Sequence, residues 1–151
     1  MDPVLMHLVI NHVPIIGTIL ALGIVIVAML IKNDTVKKTG LILFVAAGIT
    51  IYPANFTGEE AEEKIEHNAG ISEDQIHEHE EAAETSMTLM SIAVVLALLH
   101  LFNRPSTTSF QRLVFAAYLV TALAACTFVG IAGHEGGKIM RPELGNSRIS
   151  E

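Results

Sequence analysis

The chain has 151 residues, of which 51% are apolar, and a mean hydropathy of +0.51. Only 17% of the residues are charged, whereas a typical soluble domain has roughly 25%. These values exclude a disordered chain and argue against a water-soluble enzyme. The net charge of −7 excludes a general nucleic-acid-binding protein, because no basic stripe is present to neutralise phosphates. The single cysteine, Cys126, can form no disulfide within the chain and belongs to no CxxC motif.

Four long apolar segments predict an integral membrane protein. A membrane-spanning helix needs roughly 20 apolar residues, and the chain has candidates at about 4–31, 39–56, 86–102 and 113–132. The remaining polar sequence is too short to cover four such segments in a water-soluble fold. Because short loops join the first pair and the last pair, the expected fold is all-α: an antiparallel four-helix membrane bundle forming one domain, residues 1–151.

The loop charges predict an orientation. The loops at 32–40 and 103–112 hold five basic residues and one acidic residue, whereas the segment 58–85 holds eleven acidic residues and one base, Lys64. The positive-inside rule therefore places the two basic loops in the cytoplasm. We expect a multi-pass protein of a bacterial inner membrane, with both termini and the acidic segment on the periplasmic side. Within that segment the pattern predicts a short polar helix over 58–67 and a second helix, capped by Ser72, that continues into the third span.

Histidines cluster at the predicted periplasmic end of the bundle. Ionisable residues within membrane helices are costly and usually functional. Two histidines on facing helices suit a b-type haem in a helical bundle. The candidate cofactor ligands are His7 and His12 in the first turns of span one, His79 before span three, and His134 at the end of span four. His7 and His12 lie about 140° apart around a helix, so a second ligand must come from another helix.

The sequence Asn11-His12-Val13-Pro14 also has a purely structural interpretation. Pro14 has no N–H and clashes with the carbonyl of Ile10, which leaves that carbonyl without its helical partner. The side chain of Asn11 or a histidine N–H could satisfy it. On this interpretation the polar residues stabilise a kinked helix and bind no metal.

An acidic, histidine-rich run precedes the third span. On a helix, His77 shares a face with Glu80 and Glu81, and such a set, together with His79, can hold zinc or another divalent cation. The alternative is a solvated acidic face with exposed histidines. The run does not match HExxH, so nothing indicates zinc-protease chemistry.

A glycine-rich run follows the fourth span and predicts a helix end there. The alternative is a close approach of the backbone, at Gly133 and Gly137, to a flat cofactor or to span one. Lys138 and Arg141 could then pair with haem propionates or with carboxylates of the acidic loop. With Asn11, these residues complete the predicted surroundings of the ligand.

Several motifs, in this order, resemble the DUF2231-type family of bacterial four-helix membrane proteins. The family opens with HPxxVHFPI, continues with TGxxA after its second helix and a histidine before its third, and ends with GxxGGxLVY. The matching residues here are His7, His12 to Ile15, Thr57 to Glu59, His77 or His79, and Gly130 to Lys138. This chain departs from the pattern at Leu8, Asn11 and Val13. The resemblance implies the four-helix membrane fold and, by association only, an electron-transfer setting.

Two kinds of function remain open at this point. The first is a b-type haem-binding protein or subunit in periplasmic electron transfer, partnered by a redox protein or a larger membrane complex. The second is a non-haem accessory subunit whose acidic loop docks a basic partner, or a periplasmic protein that binds a divalent metal. A self-contained enzyme is not expected, because no serine, threonine or cysteine has a paired base. Helix glycines such as Gly17, Gly23, Gly40 and Gly48 would permit a homo-oligomer.

Overall fold

The computed structural model describes residues 2–65, 73–102 and 108–140. This part of the chain is almost entirely helical and contains no strand, which confirms the all-α prediction. The helices are α1 (Pro3–Ile10), α2 (His12–Leu30), α3 (Asp34–Ile49), α4 (Ile51–Ile65), α5 (Glu73–Phe102) and α6 (Thr108–Met140).

Four helical stretches are long and apolar enough to cross a membrane. They are Pro3–Leu30, Asp34–Ile65, Glu73–Phe102 and Ser109–Met140, so α1 with α2, and α3 with α4, each make one stretch. Large apolar side chains cover their outer surfaces; Leu30 is 77% exposed and Val120 is 68% exposed. Water disfavours such an extensive apolar exterior. The four predicted apolar segments are therefore confirmed, and the structure is consistent with a multi-pass membrane protein.

The first stretch is interrupted at Asn11, between α1 and α2. Pro14 explains the position, because it cannot donate to the carbonyl four residues earlier. The imidazole Nδ1 of His12 hydrogen-bonds to the carbonyl of Leu8 rather than to that of Ile10. The buried Oδ1 of Asn11 has no hydrogen-bond partner in the described part of the chain. The helix break is thus as expected, but the predicted bond to the Ile10 carbonyl is not the one that His12 makes.

The second stretch is interrupted at Thr50, between α3 and α4. Pro53 has no N–H, so it cannot donate to the carbonyl of Ile49. At the interruption, the N–H and the hydroxyl of Thr50 both donate to the carbonyl of Ala47, at 3.1 and 2.5 Å. Residues 58–65 of the predicted polar helix over 58–67 are helical, but they belong to the longer helix α4, which begins at Ile51 and passes through Gly58 without a break. Residues 66 and 67 lie outside the described residues.

The last two stretches are single helices. Helix α5 continues from Glu73 into the third span, as predicted, while its expected cap Ser72 lies outside the described residues. The predicted helix end at the glycine run is wrong, since α6 continues to Met140. The ion pair between Lys138 and Glu135, three residues apart at 2.6 Å, supports this last part of the helix.

Close contacts between small residues join the helices into a bundle with one apolar core. The largest fully buried side chains include Tyr118, Phe44, Leu41, Met90 and Val25. A Cβ added to Gly40 would lie 2.8 Å from a methyl group of Val25, and one added to Gly48 would lie 2.7 Å from a methyl group of Val94. These glycines serve the packing of α3 against α2 and α5 within the chain. A Cβ added to Gly17 would approach Ala47 in the same way, whereas no atom of the described residues is recorded within 4 Å of a Cβ added to Gly23.

Candidate functional site

A cavity of about 790 Å³ lies between α1, α4, the beginning of α5 and the end of α6. We call this part of the molecule, residues 2–14, 51–65, 73–87 and 129–140, the histidine end. Most of the cavity wall is apolar. Sites for small molecules and cofactors typically have volumes of about 300–1,000 Å³. The cavity is therefore large enough for an organic cofactor and much larger than a bare metal ion requires.

His7 projects from α1 toward α4 and is half-buried. Its Nδ1 lies 3.0 Å from the carbonyl oxygen of Ala54 and 3.4 Å from the hydroxyl of Thr57. That hydroxyl already donates to the carbonyls of Pro53 and Ala54. The Nδ1–H of His7 therefore donates to Ala54, which leaves the Nε2 lone pair as the group able to bind a ligand.

His79 is held in the same way by the other half of the bundle. It projects from α5, and its Nδ1 lies 2.8 Å from the carbonyl oxygen of Ala132 on α6. A histidine that binds a metal usually donates its second ring N–H to a carbonyl or carboxylate, which fixes the tautomer and the ring orientation. Both histidines thus carry the second hydrogen bond that a metal-binding histidine needs.

The rings of His7 and His79 approach each other across the histidine end. Their centroids are 6.3 Å apart and their planes are inclined by 79°. Both residues line the cavity. Of the candidate cofactor ligands named from the sequence, these are the two that the fold brings together.

The other two candidate ligands are placed differently. His12 lies at the edge of the cavity, but its side chain is exposed and its Nδ1 is bonded to Leu8. His134 is exposed and does not line the cavity. The sequence correctly placed both His12 and His134 at the histidine end. Whether their side chains point into the cavity depends on which faces of α2 and α6 pack inward.

The predicted divalent-metal ligands do not converge. His77 and Glu81 are exposed on α5 and do not line this cavity, whereas His79 and Glu80 do. Within residues 2–65, 73–102 and 108–140, no three or more histidine, cysteine, aspartate or glutamate side chains are grouped as metal ligands would be.

The residues predicted to surround the ligand have mixed positions. Asn11 and Gly137 line the cavity. A Cβ on Gly133 would lie 3.2 Å from the side chain of Ile15, so this glycine lies near span one. Lys138 is paired with Glu135. Arg141 lies outside the described residues.

The cavity wall is rich in groups that donate electron pairs. It carries the two imidazoles and the unpartnered Oδ1 of Asn11, and four carboxylate side chains also line it. These are Glu59, Glu62, Glu80 and Glu84. Imidazole suits iron, copper and zinc, and carboxylate and carbonyl oxygens suit harder cations. The chemistry of this donor set favours a metal centre over an anion.

An ion pair ties the chain start to α4 at the same end. The ammonium of Lys64 contacts the carboxylate of Asp2, which also caps α1 through the N–H of Val4. The hydrogen bond from Lys64 lowers the pKa of the Asp2 carboxyl below its ordinary value. Both partners are about half exposed, so the pair contributes little to stability.

The two backbone carbonyls of Ala54 and Ala132 are the functional groups that the sequence did not reveal. A signal for them exists, since each alanine is followed by a glycine four residues later: Ala54 by Gly58, and Ala132 by Gly136.

Comparison with known proteins adds no further assignment: no family model, no curated protein and no solved structure matches this chain. The resemblance to the DUF2231-type family therefore stays a prediction.

Proposed function

We propose that this protein is an inner-membrane four-helix bundle that binds one b-type haem between His7 and His79 and transfers electrons at the periplasmic side. One observation carries the proposal: two half-buried imidazoles on different helices line one cavity with their ring centroids 6.3 Å apart, and each has its Nδ1 already bonded to a backbone carbonyl. Compared with the sequence prediction, the ligand pair is narrowed from four histidines to these two.

The ring centroids of His7 and His79 are 6.3 Å apart, so both imidazoles could bind one metal ion through their Nε2 atoms. The volume and the largely apolar wall of the cavity favour a metal held in an organic macrocycle over a bare ion.

The residues of the chain would hold and tune the group in two ways. The carbonyls of Ala54 and Ala132 would fix the orientation of both imidazoles through Nδ1 and leave each Nε2 to bind the group. The apolar part of the wall, including Ile15, Ile76 and Val129, would pack against the bound group. A bound haem supplies one-electron chemistry, and its potential depends on the axial ligands and on the polarity around it.

The membrane orientation follows from charge and surface. The apolar exterior of the four stretches supports insertion into lipid. The connection between α2 and α3, at the end of the molecule opposite the histidine end, carries the basic residues Lys32, Lys37 and Lys38. The positive-inside rule assigns such a basic connection to the cytoplasm, so the histidine end would be periplasmic.

The first test is a reduced-minus-oxidised visible spectrum with metal analysis of the detergent-purified protein, incubated with hemin if it is isolated colourless. We expect a b-type spectrum with one iron per chain. His7→Ala and His79→Ala should each reduce haem occupancy at least tenfold. The exposed histidines supply matched controls, because His77→Ala and His134→Ala should retain the haem.

Other outcomes would contradict the proposal. Protein that stays colourless after hemin treatment but binds copper or zinc would show a metal site without a macrocycle. If His7→Ala retained the haem and His12→Ala lost it, His12 rather than His7 would be the ligand.

A docking function is favoured by a second observation, the exposed carboxylates of α4 and α5. Glu60, Glu63, Glu78 and Glu81 are exposed, and the nearby cation Lys64 is already engaged by Asp2. Such a surface attracts a basic soluble partner. If this is correct, the rate of electron exchange with a basic c-type cytochrome should fall steeply with ionic strength. A protein with no chromophore and no metal that still binds the basic partner would be an accessory subunit.

A further inference from the structure

The two histidines of the site have matching surroundings. His7 bonds to the carbonyl of Ala54, and four residues later Gly58 lies against the same ring. His79 bonds to the carbonyl of Ala132, and four residues later Gly136 lies against that ring. One turn of helix separates each carbonyl from its glycine, so both groups are on the helix face toward the histidine.

The contact distances repeat as well. A Cβ built on Gly58 would lie 3.1 Å from Cε1 and 3.4 Å from Nδ1 of His7. A Cβ built on Gly136 would lie 3.1 Å from Cε1 and 3.3 Å from Nδ1 of His79. Contacts this short require a neighbouring atom to move by a few tenths of an ångström. The ring would have to move, and its hydrogen bond to the carbonyl would be distorted.

The match extends along the helices beyond the site. Five of the six buried positions of α2 recur as buried positions of α5 at the spacing of His7 to His79. Five of the eight buried positions of α3 and α4 recur as buried positions of α6 at the spacing of Ala54 to Ala132. In α2 and α5 the buried pairs are Pro14 and Ser86, Thr18 and Met90, Ala21 and Ala93, Leu22 and Val94, Val25 and Ala97. In α3 to α4 and α6 they are Gly40 and Tyr118, Phe44 and Ala122, Ile51 and Val129, Ala54 and Ala132, Ala61 and Ile139.

We propose that the chain is an internal repeat whose two halves each contribute an equivalent half-site, and that Gly58 and Gly136 are the positioning residues that set the ring orientation of His7 and His79. This inference rests on the proposed function for its ligand, a metal centre that His7 and His79 would both hold. The ring positions themselves do not depend on the ligand. Equivalent half-sites would give the two ligands equal roles, and each glycine would act on its own histidine.

The experiment compares Gly58→Ala and Gly136→Ala with Gly130→Ala. Gly130 lies on α6 like Gly136 but does not line the cavity, and no atom of the described residues is recorded within 4 Å of a Cβ built on it. Because alanine favours helix more than glycine does, all three variants should fold, with thermal unfolding in detergent as the check. Haem affinity is then measured by titration, and the EPR spectrum of the bound haem is recorded.

We expect Gly58→Ala and Gly136→Ala to weaken haem binding about tenfold each, and to shift the low-spin EPR signal. Gly130→Ala should match the unmodified protein in both haem affinity and EPR signal. If the unmodified protein binds haem and all three variants behave alike, the positioning role is overturned while the proposed function stands.

A ligand-free measurement keeps the inference testable if haem does not bind. Nitrogen-15 NMR of the imidazoles reports the ring tautomer and its hydrogen bond. Gly58→Ala should change the His7 signals and leave those of His79 nearly unchanged, and Gly136→Ala should do the reverse. Unchanged signals in both variants would refute the half-site arrangement irrespective of any cofactor.

Discussion

The histidine end and the rest of the bundle are packed in different ways. Around Phe44, Met90 and Tyr118 the helices are in close contact and these side chains are fully buried; we call this region the closed region. At the histidine end the same helix pairs enclose a cavity of about 790 Å³ lined by His7 and His79. Packing an interior to full density maximises stability. The open end gives up part of that stability, which is typical of a site that accommodates a ligand.

The difference has a local cause in side-chain size. In the closed region the glycines of α3 allow its backbone to approach α2 and α5, as at Gly40 and Gly48. At the histidine end, glycines instead leave room for imidazole rings, as at Gly58 and Gly136. The same residue type therefore brings helices together in one region and accommodates a functional side chain in the other.

The largest expected effect is a truncation in the closed region. Phe44→Ala should lower the free energy of unfolding by about 3–5 kcal/mol, because it removes a fully buried ring from a packed core. Met87→Ala, at the cavity, should cost less, since that side chain is only partly buried and already borders open space. Denaturant unfolding in detergent measures both. Equal losses would mean that the two regions are packed alike.

A smaller loss is expected when a close helix contact is filled. In Gly48→Ala the new methyl group would lie 2.7 Å from Val94 and 3.3 Å from the sulfur of Met90. Overpacking of this kind costs about 1–3 kcal/mol. Gly23→Ala is the matched control, because no atom lies within 4 Å of its Cβ position. Unfolding that is unaffected in Gly48→Ala would contradict the close approach of α3 to α5.

A gain in stability is expected from Tyr118→Phe. The hydroxyl of Tyr118 is buried and has no hydrogen-bond partner among the described atoms. The variant removes this hydroxyl but keeps the ring contact with Phe44, whose centroid is 5.3 Å away. Because a buried polar group without a partner is destabilising, its removal should raise the free energy of unfolding by about 1 kcal/mol. A loss of stability in this variant would indicate that the hydroxyl does have a partner.

The smallest effect concerns the ion pair between Asp2 and Lys64. The pKa of the Asp2 carboxyl is lowered in the folded protein, so the carboxylate stabilises the fold at pH values above its ordinary pKa. This contribution is lost as the pH falls through the pKa that the carboxyl has in the folded protein. Asp2→Asn should lower the melting temperature slightly at neutral pH, and the difference should shrink as the pH falls below 3.8, the ordinary pKa of the carboxyl. The pH dependence of melting of both proteins tests this, and a difference that grows toward low pH would refute it.

Predictions from periodicity succeeded where a long pattern decides the structure. The four apolar stretches and the uninterrupted α5 follow from hydropathy alone. The interruption at Asn11 follows from Pro14, because a missing N–H acts through the backbone next to it. The predicted helix end near Gly133 failed, since glycine permits a cap but does not require one, and Ile139 is buried as a continuing helix would place it.

The sequence by itself therefore determined the helical class, the apolar exterior and the presence of histidines near one end, because composition, period and proline position act locally. Only the tertiary structure decided that His7 and His79 meet while His12 and His134 remain exposed. That choice depends on which face of each helix packs inward. Two histidines 72 positions apart in the chain can be brought within 6.3 Å only by the packing of the helices that carry them.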